Sequence, residues 1–236
     1  GLTNKQLGAR AKTICVAYSG MEKFFPASKI VITGNPVRKD IIDLTPKRTT
    51  GLGKYDFHNS TKTLLIIGGS LGARTINESV LGGIDRLIEA KVQVIWQTGK
   101  FYIEEIRKNV IGKNLNMIRI SDFVKEMDLA YAAADVVISR AGALSISELC
   151  LAKKPAILVP SPNVSEDHQT QNAMALVKQD AAVMIKDSEA REKLITEALN
   201  LLNNTDRSTK LSSNIAAMGK PDAAVNIVKE IEKLIA

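Results

Sequence analysis

Thr63 to Asn77 reads TLLIIGGSLGARTIN. Five apolar or β-branched residues, Thr63 to Ile67, run into Gly68-Gly69-Ser70, then Gly72 and a helical pattern. The order is strand, tight turn, helix N-terminus. Such a turn leaves backbone N–H groups aimed at one spot with the helix dipole behind them, which suits phosphate. Glycine there permits positive φ and lets a ligand oxygen approach the backbone. The wording is not the dinucleotide G-x-G-x-x-G, because Ile67 stands where its first glycine would be. It is not a Walker A loop either, because no Gly-Lys-Ser/Thr follows. Taken alone, the turn fits a phosphate site and a merely tight strand-to-helix connection equally well.

Downstream the pattern repeats. Strands are expected at 63–67, 92–96, 116–120, 135–138, 155–159 and 182–185, with helices at about 72–90, 101–110, 126–134, 143–153 and 168–179. Alternation at this spacing builds right-handed βαβ units and a parallel sheet, hence an α/β, Rossmann-like doubly wound domain. Three more helices, about 188–202, 206–218 and 221–235, close the chain, with Pro221 suited to the first turn of the last. Upstream, residues 1–12 read as a short helix or a loop into one, Ile14 to Ala17 and Lys29 to Thr33 as strands, and Ser19 to Phe25 as a turn or short helix. Gly34-Asn35-Pro36 is a breaker, and Arg38 behind it reads as a helix-end cap or an anion partner, the cap being favoured. Thr45 to Ser60 is polar, with Pro46, Gly51 and Gly53, and is expected to be a linker near a domain boundary.

Composition narrows the chemistry. The net charge is +7 over 236 residues, but the lysines are scattered and no basic–aromatic alternation appears, which gives nucleic acid little support. His58 and His168 are the only histidines, and Cys15 and Cys150 stand far apart, so no metal site is expected. Both cysteines read as reduced and buried, in keeping with a cytosolic setting. No apolar run approaches the roughly 20 residues of a membrane span.

In a doubly wound sheet, ligands sit outside the carboxyl ends of the strands. Ser139 to Glu148, SRAGALSISE, is the second run of note, since its strand delivers Gly142 into a helix N-terminus. Glu148 stands about a turn and a half into that helix. A carboxylate there could take two hydrogen bonds from a ribose, or simply favour the helix N-terminus. Ser145 and Ser147 read as ligands or as capping residues. In Pro160 to Ala173, Asp167, His168, Gln169 and Asn172 could bind a sugar, or form a surface loop in which Asp167 is an N-cap. Phe123 and Val124 could flank a flat base or belong to the core.

GLTNK at the start, GNPVR at 34–38, GGSLGA at 68–73, DF-x-x-x-M at 122–127, SRAGALSISE at 139–148 and D-H-Q-x-x-N-A at 167–173 occur in that order. Together they resemble the MurG family of bacterial glycosyltransferases, glycosyltransferase family 28, over nearly the whole chain. The resemblance implies a GT-B fold. Residues 1–45 would be the end of an N-terminal acceptor domain, 46–220 the C-terminal UDP-GlcNAc-binding domain, and 221–236 a helix returning to the N-terminal domain.

It further implies transfer of GlcNAc from UDP-GlcNAc to undecaprenyl-diphospho-muramoylpentapeptide (lipid I). The partners would be that donor, that acceptor and an anionic membrane surface, at the cytoplasmic face of the inner membrane, with no cofactor. Asn4 would line the interdomain cleft. Arg38 would contact the nucleotide-sugar, and Gly69, Ser70 and Gly72 would form the diphosphate turn. Val124 would hold uracil through its backbone. Ala143, Leu144, Ser145, Ile146, Ser147 and Glu148 would wrap the UDP, with Glu148 on the ribose. Gln169 and Asn172 would bind the GlcNAc hydroxyls. The catalytic base is expected upstream, outside this chain. Leu71 departs from the family, where Gln is common, so its side chain offers no hydrogen bond. Competing readings are another UDP-sugar enzyme of this fold (a glycolipid glycosyltransferase or a UDP-GlcNAc epimerase) and a non-catalytic nucleotide-sugar-binding module.

Overall fold

The computed structural model describes residues 2–18, 20–163 and 167–235. Gly1, Ser19 and the middle of the Pro160–Ala173 run, residues 164–166, lie outside the described residues. The front of the chain holds α1 (Leu2–Arg10), β1 (Ile14–Val16) and β2 (Ile30–Ile32), the two strands pairing in parallel with Val16 opposite Ile32. Next comes α2 (Arg48–Lys54). The main unit then runs β3 (Thr63–Ile67), α3 (Arg74–Glu89), β4 (Gln93–Gln97), α4 (Ile103–Asn109), β5 (Ile118–Ser121) and α5 (Met127–Ala133). It continues through β6 (Val136–Ser139), α6 (Ala143–Ala152), β7 (Ala156–Leu158), α7 (His168–Val177) and β8 (Val183–Met184). Helices α8 (Ala190–Asn203), α9 (Thr205–Ala217) and α10 (Ala223–Ile235) follow.

The six strands form one parallel sheet in the order β5-β4-β3-β6-β7-β8. The order reverses at the β3–β6 neighbourhood, so the switch point lies between the turns that follow those two strands. All five residues of β3 are buried, because helices cover both faces of the sheet. Its side chains alternate between two cores. Leu64 and Ile66 pack with Ile76, Val80 and Ile84 of α3 and Leu194 of α8. Leu65 and Ile67 pack with Leu52 of α2, Tyr131 of α5, and Ile146 and Leu149 of α6. Each such buried aliphatic side chain contributes about 2 kcal/mol.

Three expectations are corrected. The stretch from Thr45 to Ser60 is not a linker: it forms a 3-10 turn and α2, and buries Leu52 and Phe57 in the main core. Gly51, which reads as a breaker, is a packing residue. A Cβ there would stand 2.4 Å from the Leu129 carbonyl oxygen, so the helix can lie on α5 only without a side chain. The loop that follows is pinned by Gln93, whose amide takes the Thr61 carbonyl (3.2 Å) and the Thr63 hydroxyl (2.9 Å). Cys15 is exposed, whereas Cys150 is buried and its thiol is pushed up to about 12 by burial. Pro221 stands two residues before α10 rather than in its first turn.

Candidate functional site

The turn after β3 is held from below by the turn after β4. Gly72 and Gly99 have φ of 91° and 81° and lie backbone against backbone. A Cβ on Gly99 would fall 2.1 Å from the Gly72 nitrogen, and one on Gly72 2.3 Å from the Thr98 oxygen. Asn77, buried in the first turn of α3, donates to that Thr98 carbonyl (2.8 Å) and accepts from the Trp96 indole (3.0 Å). The helix starts at Arg74 with no side-chain cap. Its first-turn amides therefore have no intrahelical partner and are open to an acceptor. Ser70 and Leu71 are exposed at the turn's tip.

The turn after β6 is held by side chains from elsewhere. Gln169 accepts from the amides of Ala141 (3.2 Å) and Ser161 (2.9 Å), and Asn172 donates to the Ala141 carbonyl (3.1 Å). Arg140 donates to the carbonyls of Val159 (3.0 Å) and Pro160 (3.2 Å) and pairs with Asp187, which also accepts from Thr75 of α3 (2.8 Å). Gly142 precedes α6 without a side-chain cap. Ser147 does not cap either. Its hydroxyl lies on the Ala143 carbonyl (3.0 Å), on Tyr18 (3.0 Å) and on Asn35 (3.1 Å).

The two turns face one cavity of about 640 Å³, lined by Gly68 to Thr75, Arg140, Gly142, Ser145, Ser161 and Gln169. Two uncapped helix N-termini thus open on the same space, with Arg140 at its floor. A second cavity of about 770 Å³ adjoins it through Gly142 and Gln169, and is lined by α1 (including Asn4), the β1 end, Asn35, Ala143, His168 and Asn172.

A third cluster surrounds Glu148. The hydroxyl of the fully buried Tyr131 donates to its carboxylate (3.3 Å). Burial raises the Glu148 carboxyl above the ordinary value, while the Tyr131 hydrogen bond and the Arg38 guanidinium pull it down and Asp40 pushes it up. Arg38 does not cap a helix. It precedes a 3-10 turn without a side-chain bond, and its guanidinium lies 3.7 Å from Asp40. Val124 is in the core, as one reading had it, and its amide donates to Gln97 (2.9 Å). Phe123 is exposed beside it.

The site residues therefore divide. Gly69, Ser70, Gly72, Ser145 and Gln169 share the first cavity; Asn4, Ala143 and Asn172 meet in the second; Arg38 and Glu148 form the third group. Leu144 is exposed next to them. The side chain of Ile146 is fully buried in the core. Asp167 takes the position before α7 but accepts from the Thr170 hydroxyl (2.6 Å) instead of from an amide. Sequence reasoning missed Gln97, Asn77, Tyr131, Asp187, Tyr18 and Asn35 as supporting residues. Gly99, two residues after β4, stands in a segment that the sequence does mark as following a strand. Among the described residues, no group of three His, Cys, Asp or Glu is placed to hold a metal, and no helix is long and apolar enough to cross a membrane.

Residues 63–227 match the family described as the glycosyltransferase family 28 C-terminal domain. The chain is 53% identical over its whole length to a Parabacteroides distasonis UDP-N-acetylglucosamine--N-acetylmuramyl-(pentapeptide) pyrophosphoryl-undecaprenol N-acetylglucosamine transferase, of which it covers 64%. It is 52% identical over 99% of its length to the Bacteroides fragilis protein of the same description, of which it covers 62%. Among solved structures, it is similar to Acinetobacter baumannii MurG, with a TM-score of 0.78 and 29% identity, covering 99% of this chain and 63% of that one. A Rickettsia africae glycosyltransferase shares the fold at a TM-score of 0.67 and 12% identity, over 100% of this chain and 68% of that one. The chain thus spans a little under two thirds of the length of the first three of these proteins.

Proposed function

This chain belongs to glycosyltransferase family 28, and from that premise we propose that it is the donor-binding half of an enzyme that moves GlcNAc from UDP-GlcNAc to lipid I, giving lipid II for peptidoglycan. The observation that carries this reading is the pair of uncapped helix N-termini, α3 and α6, opening on one cavity. A diphosphate bridging them meets two sets of amides and two helix dipoles at once. Ser70 adds a hydroxyl, Ser145 lies beside the α6 amides, and Glu148 takes the ribose hydroxyls. The carbonyl of Val124 takes the uracil N3–H, and Asn172 and Gln169, held by the Ala141 loop, face the sugar.

The reaction is an inverting displacement. The muramoyl C4 oxygen attacks the anomeric carbon of GlcNAc, the bond from that carbon to the diphosphate oxygen breaks, and UDP leaves with the electron pair. A base takes the hydroxyl proton, and it is expected in sequence upstream of this chain. The role of this chain is to hold the donor and stabilise the charge growing on UDP. Residues 1–45 would be the end of the acceptor domain, 46–220 the donor domain, and 221–236 a helix that returns to the acceptor domain. The exposed stripe Val225, Val228, Ile231 and Ile235 on α10 supports the last assignment, since residues three, four and seven apart share one helix face. The enzyme would work peripherally at the cytoplasmic face of the inner membrane, where the +7 charge suits an anionic leaflet.

Calorimetry with UDP-GlcNAc, UDP-glucose and UDP-GalNAc tests donor identity: the chain should bind UDP-GlcNAc weakly but in preference to the other two. Assayed with lipid I, it should not turn over until the upstream sequence is restored. Robust lipid II synthesis by the 236-residue chain alone would refute the division of labour.

A further inference from the structure

The hydroxyl of Ser147 and the carbonyl of Ala143 are claimed by the front of the chain. Tyr18 donates to the Ala143 oxygen (3.0 Å) and shares a hydrogen bond with Ser147 (3.0 Å). Asn35 uses both amide hydrogens, toward Ala143 (3.3 Å) and Ser147 (3.1 Å). The carbonyl of Ala143 and the hydroxyl of Ser147 are thus both within hydrogen-bond reach of Tyr18 and of Asn35. Local sequence provides no other restraint there, since the preceding residue is glycine and no side chain caps the helix.

The two donors are themselves fixed as a pair. Tyr18 follows the end of β1 by two residues and Asn35 follows the end of β2 by three. Parallel pairing brings those ends to the same edge, and the amides of Thr33 and Gly34 both bond the Val16 carbonyl (3.0 and 3.1 Å). The Tyr18 phenol is pushed up to about 12 by burial, so it keeps its proton.

We propose that Tyr18 and Asn35 are positioning residues that hold the first turn of α6, and so set where its free amides meet the diphosphate of the donor. Tyr18 and Asn35 then set donor affinity through the helix, apart from any contact that Arg38 of the same segment makes. This rests on the reading of the cavity as a UDP site. Asn35 also gains a role distinct from that of Arg38 in the same GNPVR run: it faces the helix, not the ligand.

The test is calorimetry of the chain with UDP, alongside ligand-observed NMR with uridine, in wild type, Tyr18→Phe, Asn35→Asp and the double variant. Asn35→Asp is nearly isosteric and removes both donors. The double variant should lose about tenfold in UDP affinity, roughly 1.4 kcal/mol, while uridine affinity stays within about twofold, because only the diphosphate reads the α6 amides. Amide hydrogen exchange over 143–147 should quicken in the same variants without ligand. Unchanged UDP affinity, or UDP and uridine affinities falling in parallel, overturns the proposal and leaves a contact that serves the fold alone. A wild-type chain that binds no UDP overturns the donor-site reading and this proposal with it. A wild type that binds UDP, with variants that match it, overturns this proposal alone. Should the double variant not fold, each single variant should show a smaller loss confined to UDP, and its absence counts against the proposal in the same way.

Discussion

The turns after β3 and β6 share one local plan, strand, glycine and an uncapped helix, and are made rigid by different means. The β3 turn is braced by backbone: Gly72 and Gly99 are in contact, and Asn77 ties the helix to the carbonyl of Thr98. Its bracing comes mainly from the next βα unit, with one long-range bond from Thr75 to Asp187 (2.8 Å). The β6 turn is braced by side chains brought from far away, Gln169 and Asn172 from α7, Asp187 from beyond β8, and Tyr18 and Asn35 from the front. A turn of the first kind is set once its neighbouring strand pairs. A turn of the second kind is set only when the whole domain, and the segment before it, has assembled.

Gly99→Val would break the backbone-braced turn most severely. The added carbons have no room and the φ of 81° is strained for valine. A loss of about 4 kcal/mol in urea unfolding is expected, with UDP binding lost as well. Arg140→Met attacks the side-chain-braced turn: it strands Asp187 and two loop carbonyls, for about 3 kcal/mol by the same measurement. If Gly99→Val cost no more than Arg140→Met, the contrast between the two turns would fail. Asn77→Ala removes one bond to Thr98 and one from Trp96 inside the core, and should cost about 2 kcal/mol.

Glu148 sharpens the comparison through pH. Its pKa is raised in the folded chain, chiefly by burial, so ionising it costs stability. That part of the stability is fully present below the ordinary value of 4.5 and is lost as pH rises through the raised one. Glu148→Gln should flatten this segment of the stability–pH curve and also weaken UDP, since an amide offers the ribose one acceptor oxygen in place of two. A curve of unchanged shape would remove the burial argument. Ser70→Ala is the mildest change. The side chain is exposed, so the melting temperature should hold while UDP affinity drops about fivefold, the worth of one hydrogen bond of about 1 kcal/mol.

Much of the fold was legible. The continuous apolar runs of β3 and β6 and the helix-length gaps between them determine a parallel sheet, because both faces of such strands must be covered. The two glycine turns were legible for the same reason: they are the residues directly after those strands. The misreadings share a cause. Gly51 looks like a breaker from its neighbours and is a helix contact from the position of Leu129. The motif carries no sign of the partners of the Ser147 hydroxyl, Tyr18 and Asn35, which follow from the way the front segment lies on α6. Ile146 sits in the same motif and belongs to the core.

The sequence by itself determined which segments are strands, where the chain turns, and that two glycine-led helix starts stand at the carboxyl edge of one sheet. Periodicity and φ preference act over a few residues, and a few residues were enough. Only the tertiary structure decided that the two helix starts share a cavity, which groups they leave free, and which side chains 28 to 129 positions away hold the second one in place. Hydrogen bonds of that reach are chosen by strand order and packing, and no local pattern records them.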